Sequence, residues 1–513
     1  MGHELHGRHP RQFETVVQNG SHQRSFTYDW VSRLLTANNF ETGTITYNYD
    51  SDSSCASPNS FAGLLVSKVD ARGIRTCAQY DALNRETVLN YSNQDPTITT
   101  TYNNRLQPSE FKASSTGGNA DDISYNFVDP VSGHNAGHVY GVAKNLDATR
   151  SQNFTYDQLN RISSALTVST HGTSPAHCWG ETYTLDAWGT LNSIAATTNS
   201  NYTGCTQEPG FTTTADGNNH FPSFSYDSSG NTQNDAVFTY SWHAESQLKS
   251  GGGVTYTYDG HGRRVAKVGS KLYWYGSGGD ILAETDASGN TTAEYIFFGG
   301  KRIAMLPAGG NPIYYVEDML GTSRVITSNS GIVCYDADFY PYGGERAYTN
   351  TCAQNYKFEG KERGTETGND EFGARYYSDH FGRWLSADWS SVPEPVPYAN
   401  LSNPQTLNLY SMVGDDPESF ADLDGHDDKQ GPNPVYQCFD GNVANCSQAL
   451  RQAYAAYLAA RQNDAAKDRR EAPSQRHPAA GMVQESSELF LFQTLQRTGH
   501  GCDGKSWTCE GKP

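Results

Sequence analysis

Along much of the chain, aromatic residues alternate with small polar ones in short bursts. Phe26-Thr27-Tyr28, Phe154-Thr155-Tyr156, Phe224-Ser225-Tyr226 and Tyr256-Thr257-Tyr258 each place rings at i and i+2. An extended strand sends such residues to one face, and aromatic and β-branched groups suit a half-buried pleated surface. After each burst comes an acid and then a turn-former, in the pattern D-x-x-[GNS]. The stretches are Tyr28-Asp29…Ser32, Tyr80-Asp81…Asn84, Tyr156-Asp157…Asn160, Leu185-Asp186…Gly189, Tyr226-Asp227…Gly230 and Tyr258-Asp259…Gly262. The Asp carboxylate accepts nearby backbone N–H groups, and Gly or Asn tolerates positive φ. The pattern therefore predicts a strand, a tight turn and a return strand such as Arg161-Ile162…Ala165-Leu166. Such a hairpin cannot bury its aromatic row alone. Neighbouring hairpins must pair edge to edge and stack, which makes this a repeat architecture. An ordinary β-sandwich with recurring turns is the plainer alternative.

The pattern changes along the chain. Residues 1–300 carry the repeats, with Gly/Ser/Asn-rich insertions at 112–124 and 196–220. From Tyr273 the apolar segments lengthen, as in Leu272–Tyr275, Ala293–Phe298 and Ile313–Val316, separated by turns at Asp286–Asn290 and Gly299-Gly300. Pro393, Pro395 and Pro397 predict a loop. Beyond His426 the character shifts again: Ser447 to Asp468 is Ala/Gln/Arg-rich, with Leu450, Tyr454, Tyr457 and Leu458 at the spacing of a helix and Ser447 as its candidate N-cap. The expected division is a repeat wall over 1–300, a second unit over 301–426 and a partly helical, partly disordered tail over 427–513.

Composition supports a β-rich wall with wet faces. Hydrophobic content is 36%, yet the chain has 32 Tyr, 21 Phe and 50 Gly. Its 513 residues suffice for about three domains of average size. The net charge of −19 argues against nucleic-acid binding by the wall. Ten cysteines include no C-x-x-C, so a zinc ribbon is not expected. Cys438/Cys446 and Cys502/Cys509 are candidate disulfides of an exported tail, or else free thiols. No apolar run of roughly 18 residues occurs, so no spanning helix is expected. The polar start, Met1 to Phe13, is not a secretory signal peptide. Either export takes another route or Met1 lies partway along a longer product; the second is the favoured expectation.

The densest motifs lie between Tyr314 and His426. Tyr314-Tyr315-Val316-Glu317-Asp318-Met319-Leu320-Gly321-Thr322-Ser323-Arg324 is followed by Tyr335-Asp336…Phe339-Tyr340-Pro341-Tyr342-Gly343. Next come Phe358-Glu359-Gly360-Lys361-Glu362 and Gly373-Ala374-Arg375-Tyr376-Tyr377-Ser378…Gly382-Arg383-Trp384-Leu385-Ser386-Ala387-Asp388. Asn408-Leu409-Tyr410, Asp416-Pro417 and Asp422-Leu423-Asp424-Gly425-His426 complete the series. This ordered set resembles the Rhs-associated core domain, and the Tyr-Asp units resemble YD repeats. Together they cover most of residues 25–426. The resemblance implies an all-β fold in which a YD-repeat hairpin strip spirals into a hollow shell closed by the core domain. It also implies that the shell encloses its own C-terminal segment as cargo and cuts it free. A closed sheet leaves no exposed edge, and a large barrel-like shell leaves a lumen.

In that family a pair of aspartates with a nearby arginine is linked to self-cleavage. Matched motif by motif, these are Arg375, Asp388 and Asp422, and the implied scissile bond is His426–Asp427. Paired acids suit peptide hydrolysis because proximity and burial separate their pKa values. An arginine orients a carboxylate or steadies an oxyanion. A substrate tethered in cis supplies high effective molarity. The plainer reading makes Arg375 a structural ion-pair partner and Asp388 a turn residue. Asp422 and Asp424 are adjacent, and either fits the role. Trp389, Leu423 and His426 depart from the family pattern of Pro, Pro and Leu; losing proline relaxes the preceding residue.

No H-E-x-x-H, Walker A or G-x-S-x-G motif occurs. A calcium loop starting at Asp422 fails at its twelfth position, and His477, His500, Cys502 and Cys509 match no metal-ligand spacing. No cofactor or metal is expected. The resemblance points to secretion or display at the cell surface, with an immunity protein or secretion machinery as further candidate partners. The alternative is a non-catalytic surface or wall-associated protein that binds carbohydrate or neighbouring cells, with Trp179, Trp242 and Trp274 as candidate sugar-stacking residues. The plainest alternative is an inert fragment whose shell cannot close.

Overall fold

The computed structural model describes residues 14–18, 22–91, 94–168, 177–205, 208–276, 278–388 and 404–426. Pro393, Pro395, Pro397, the Ser447–Asp468 helix, the four tail cysteines, His477 and His500 all lie outside them. The described chain is a sequential antiparallel strip. Sixteen strands, from Thr15–Gln18 to Phe211–Thr212, form one sheet in strict chain order. A two-stranded ribbon, Ser225–Tyr226 with Thr232–Asn234, follows. Twelve strands from Tyr240–Trp242 to Glu345–Asn350 form a second sheet, also in chain order. Four short strands from Glu362–Arg363 to Arg383–Trp384 end the strip. Residue 300 falls in the turn between strands Thr291–Phe298 and Lys301–Pro307, inside the second sheet. The helical elements among the described residues are short 3₁₀ turns. No helix there is long and apolar enough to cross a membrane.

The turns explain the order. In the hairpin around Asp157, the Asp157 N–H donates to Arg161 O (2.9 Å) and Asn160 N–H to Asp157 O (3.0 Å). Asp157 Oδ1 accepts from Leu159 N (2.8 Å) and Arg161 N (3.1 Å), while Oδ2 takes the Arg161 guanidinium. Asn160 sits at φ 61°. This is a type I turn closed by a left-handed residue, and it shifts the ladder by one between Thr155 and Tyr156. The same backbone bonds recur at Asp29, Asp81, Asp186, Asp227 and Asp259, as the pattern predicts. They also recur where the Tyr is missing, at Asp70, Asp216, Asp286 and Asp318, and where Asn replaces the acid after Tyr102, at Asn103. At Asn103 the left-handed residue is Leu106, at φ 68°, which the motif excludes. There, side-chain acceptance by Asn103 holds a conformation that a leucine disfavours.

Burial separates the two sheets. Strand Gln152–Tyr156 alternates buried and exposed positions. Strands Ile313–Glu317 and Ser323–Ser328 are buried on both faces. The reason is layering. Tyr314 packs on Tyr91 of the first sheet, ring centroids 4.4 Å apart. The next residue, Tyr315, joins a core with Tyr377 and Trp384 of the terminal segment. The second sheet is therefore a middle layer here. Buried ions tie it to the first: Arg150 grips Asp336 and Asp338 with bonds of 2.8–2.9 Å.

Of three disulfides, Cys55–Cys77 and Cys334–Cys352 each join a strand to a neighbouring loop, and Cys178–Cys205 joins two loops. Sequence reading missed them and looked to the tail cysteines instead. All three close short loops, with separations of 22, 27 and 18 residues, but which cysteines meet depends on strand register.

Candidate functional site

The site forms where the last short strands meet the segment 404–426. Arg375 leads into strand Tyr376–Ser378, at a bend where Phe372 N donates to Arg375 O (3.0 Å). Asp388 follows strand Arg383–Trp384, and its N–H donates to Leu409 O (2.9 Å). Asp422 opens a turn whose far end returns to the same bend, where Ala374 N donates to Asp424 O (3.0 Å). Asp388 lies thirteen positions after Arg375 and Asp422 forty-seven positions after it, so only the closed fold unites the three.

The structure does bring them together. Arg375 Nη2 lies 3.4 Å from Asp388 Oδ2 and 3.5 Å from Asp422 Oδ2. All three side chains are buried. The guanidinium stacks on Trp384, 4.1 Å from the ring centroid. Its Nη1 donates to Leu409 O (3.2 Å), and its Nε donates to Gly425 O. One cation faces two carboxylates in a buried site, where poorly screened charges interact strongly.

Asp422 and Asp424 have separate jobs. Asp422 Oδ1 accepts from Gly425 N (2.7 Å) and Asp424 N (3.2 Å), and its Oδ2 faces Arg375. Asp424 Oδ1 accepts the His426 N–H (3.1 Å). Of the two candidate acids, Asp422 is the one at the guanidinium.

Three contacts had no sequence signal. Glu359 Oε2 accepts the Asp422 N–H at 2.9 Å. Burial, with Asp422 beside it, raises the Glu359 carboxyl well above the ordinary 4.5. Lys361 Nζ donates to Leu423 O at 2.5 Å. His426 Nδ1 lies 3.2 Å from Asp388 Oδ1, so the histidine that replaces the family's leucine contacts one of the two acids. Glu359 stands at a variable motif position sixty-three residues before Asp422, and pattern alone does not link them. A cavity of about 560 Å³ reaches Glu359, Lys361 and Leu423 from between the sheets.

The aromatics considered for sugar stacking are engaged in the fold. Trp179 is buried edge-on against Tyr340, 4.7 Å between centroids. Trp242 and Trp274 are half-buried and donate their indole N–H to Thr232 O (2.7 Å) and Thr285 Oγ1 (3.1 Å).

No protein-family model matches the chain. It is 28% identical over 233 residues to the tRNA3(Ser)-specific nuclease WapA of Bacillus spizizenii, an alignment that covers 43% of this chain and 10% of that protein. It is 28% identical over 228 residues to toxin subunit YenC1 of Yersinia entomophaga, covering 36% of this chain and 22% of the relative. The chain thus spans less than a quarter of either relative. Among solved structures, the TcdB2-TccC3 crystal structure superposes with a TM-score of 0.60 at 19% identity, over 79% of this chain and 22% of that one. At that identity the likeness is one of fold.

Proposed function

This chain is a YD-repeat (Rhs-type) β-shell protein, related to toxin subunits, and from that premise we propose that it encloses its own C-terminal segment and releases it by a single cut in cis near residue 426. The observation that carries the reading is the buried constellation of Arg375 with Asp388 and Asp422 around the Asp422–His426 turn. The turn leads in sequence into the tail, so in this reading the acids meet the chain at the point of release. In this reading one carboxylate takes a proton from water and the guanidinium steadies the oxyanion. Tethering removes the entropic cost of bringing substrate to the site, so a modest site suffices. The shell wall over 1–300, the core over 301–426 and the tail over 427–513 then act as container, cutter and cargo. Secretion or surface display, with an immunity protein or export machinery as partner, follows from the same reading.

The test is direct. The full chain is expressed and followed by intact mass spectrometry. Two fragments that together account for 56.2 kDa are expected. Asp388→Asn and Asp422→Asn are each expected to abolish the cut. A wild-type chain that stays whole removes the protease reading and leaves a non-catalytic shell.

A further inference from the structure

The last strand of the first sheet, Phe211–Thr212, is two residues long and pairs only with Ile194 and Ser193 among the described residues. So short a ladder holds weakly by itself. Just before it, Glu208 lays its carboxyl on the second sheet. A Cβ at Gly344 would lie 2.4 Å from Glu208 Oε2, so only glycine admits the contact. Gly344 closes the turn that follows strand Val333–Phe339, with Tyr340 N donating to its carbonyl at 2.9 Å. The Glu208 carboxyl therefore fastens the end of one sheet to a turn of the other.

A second acid stands beside it. Glu181, in strand Gly180–Leu185, is 2% exposed. Its Oε2 accepts the Tyr183 hydroxyl at 2.8 Å, and among the described residues Oε1 has no hydrogen-bond partner. The core segment adds a third acid, Asp379, and one cation, Arg363. That cation is already engaged, 2.6 Å from Asp370 and 2.9 Å from Asp379. Arg346, which faces Glu181, donates to the Tyr340 hydroxyl at 2.8 Å. The phenols of Tyr183, Tyr340 and Tyr377 complete the surroundings. We propose that Glu181 and Glu208 form a proton-operated latch. Protonated, they hold the end of the first sheet against the Gly344 turn; ionised, they repel each other and Asp379 and let strand Phe211–Thr212 lift.

The electrostatics agree with this geometry. Burial raises the Glu208 carboxyl to about 9, with Glu181 and Asp379 adding to the rise and Arg363 opposing it. Burial raises Glu181 to about 7, against the Tyr183 hydrogen bond and Arg346. Both stand above the ordinary 4.5. A carboxyl raised in the closed form favours the open form increasingly once pH passes its ordinary value. The latch is therefore fully held below pH 4.5 and loosens as pH rises through the two folded values.

Hydrogen exchange of the full chain tests the latch, read at the amides of Phe211 to Thr213, where Thr213 N donates to Asn192 O at 2.8 Å. Wild type and Glu208→Gln are compared at the same pH, so the chemical exchange rate cancels. The expected result is matched exchange near pH 4.5 and, by pH 8, exchange at least about tenfold faster in the wild type. Strand Gly180–Leu185 is expected to stay protected throughout. Parallel curves for the two chains overturn the latch. A rise that spreads equally through Gly180–Leu185 also overturns it, because that is general loosening. If Glu208→Gln does not fold, the wild-type profile corrected for chemical rate decides together with Glu181→Gln. A flat wild-type profile, or a rise that Glu181→Gln leaves unchanged, sinks the proposal; a rise that Glu181→Gln reduces supports it.

Discussion

Asp–Arg pairs serve the wall and the core in opposite ways. In the wall, Asp157 and Arg161 are four residues apart, 2.6 Å between charged atoms, and Asp157 is partly exposed. Its carboxylate accepts two backbone N–H groups of its own turn. Burial pushes the Asp157 carboxyl up, but the Arg161 hydrogen bond and the backbone donors outweigh it and hold it below 3.8. The unit is complete by itself. In the core, Arg375 meets Asp388 and Asp422 at 3.4 and 3.5 Å, buried and distant in sequence. One cation is shared between two acids and also holds backbone carbonyls. The first arrangement terminates a strand. The second places charge where a peptide turn can respond to it. The difference is set by local saturation against long-range sharing, because the residue types are the same.

The most severe test of this contrast is Arg375→Met. It strands two buried carboxylates, and breaking a buried pair costs about 3–5 kcal/mol. Chemical denaturation monitored at the tryptophans should show the loss. A cost near that of a surface pair would mean that the site is more hydrated than its burial implies.

The pH dependence of stability separates buried acids without a close cation from the turn aspartates next. Burial raises two acids of the core, Glu418 to about 8 and Glu317 to about 7. A carboxyl raised in the folded state is protonated there while the unfolded chain has already lost its proton. Its contribution is fully present below pH 4.5 and is lost as pH rises through the folded value. Wall turns such as Asp81, Asp157 and Asp259 are lowered, so their contribution is present above 3.8 and is lost as pH falls. Glu418→Gln is expected to match the parent near pH 4.5 and to exceed it in stability by pH 8. Denaturant midpoints across that range decide it, and parallel profiles would show that Glu418 does not hold its proton.

The smallest effect belongs to the wall. Asp157→Ala removes one turn cap and should cost about 1 kcal/mol. The adjoining hairpins keep their ladders, so a shallow loss in thermal midpoint is the expected readout. A collapse of the whole strip would show that single turns are not independent units.

These contrasts also explain what could be read in advance. The hairpins around Asp29, Asp81, Asp157 and Asp259 were legible because every bond of the turn lies within five residues. The turn at Asn103 was not, because Leu106 takes the left-handed position that the motif reserves for Gly, Asn or Ser. Arg375, Asp388 and Asp422 were reached through motif resemblance, and physics from sequence spacing alone did not join them. Glu359 was missed because its link to Asp422 exists only after the chain has closed. The three disulfides were missed for the same reason, since register brings those cysteines to within 5.1–5.8 Å between Cα atoms.

Strand, turn and chain-order pairing were thus written into the residues, because alternation and Asx turns act over a few positions and need no distant partner. Which face of each later strand is covered, which of two adjacent aspartates meets the arginine, and which carbonyl that arginine holds arose on folding. Those outcomes depend on packing between segments tens to hundreds of residues apart, and no local pattern encodes such distances.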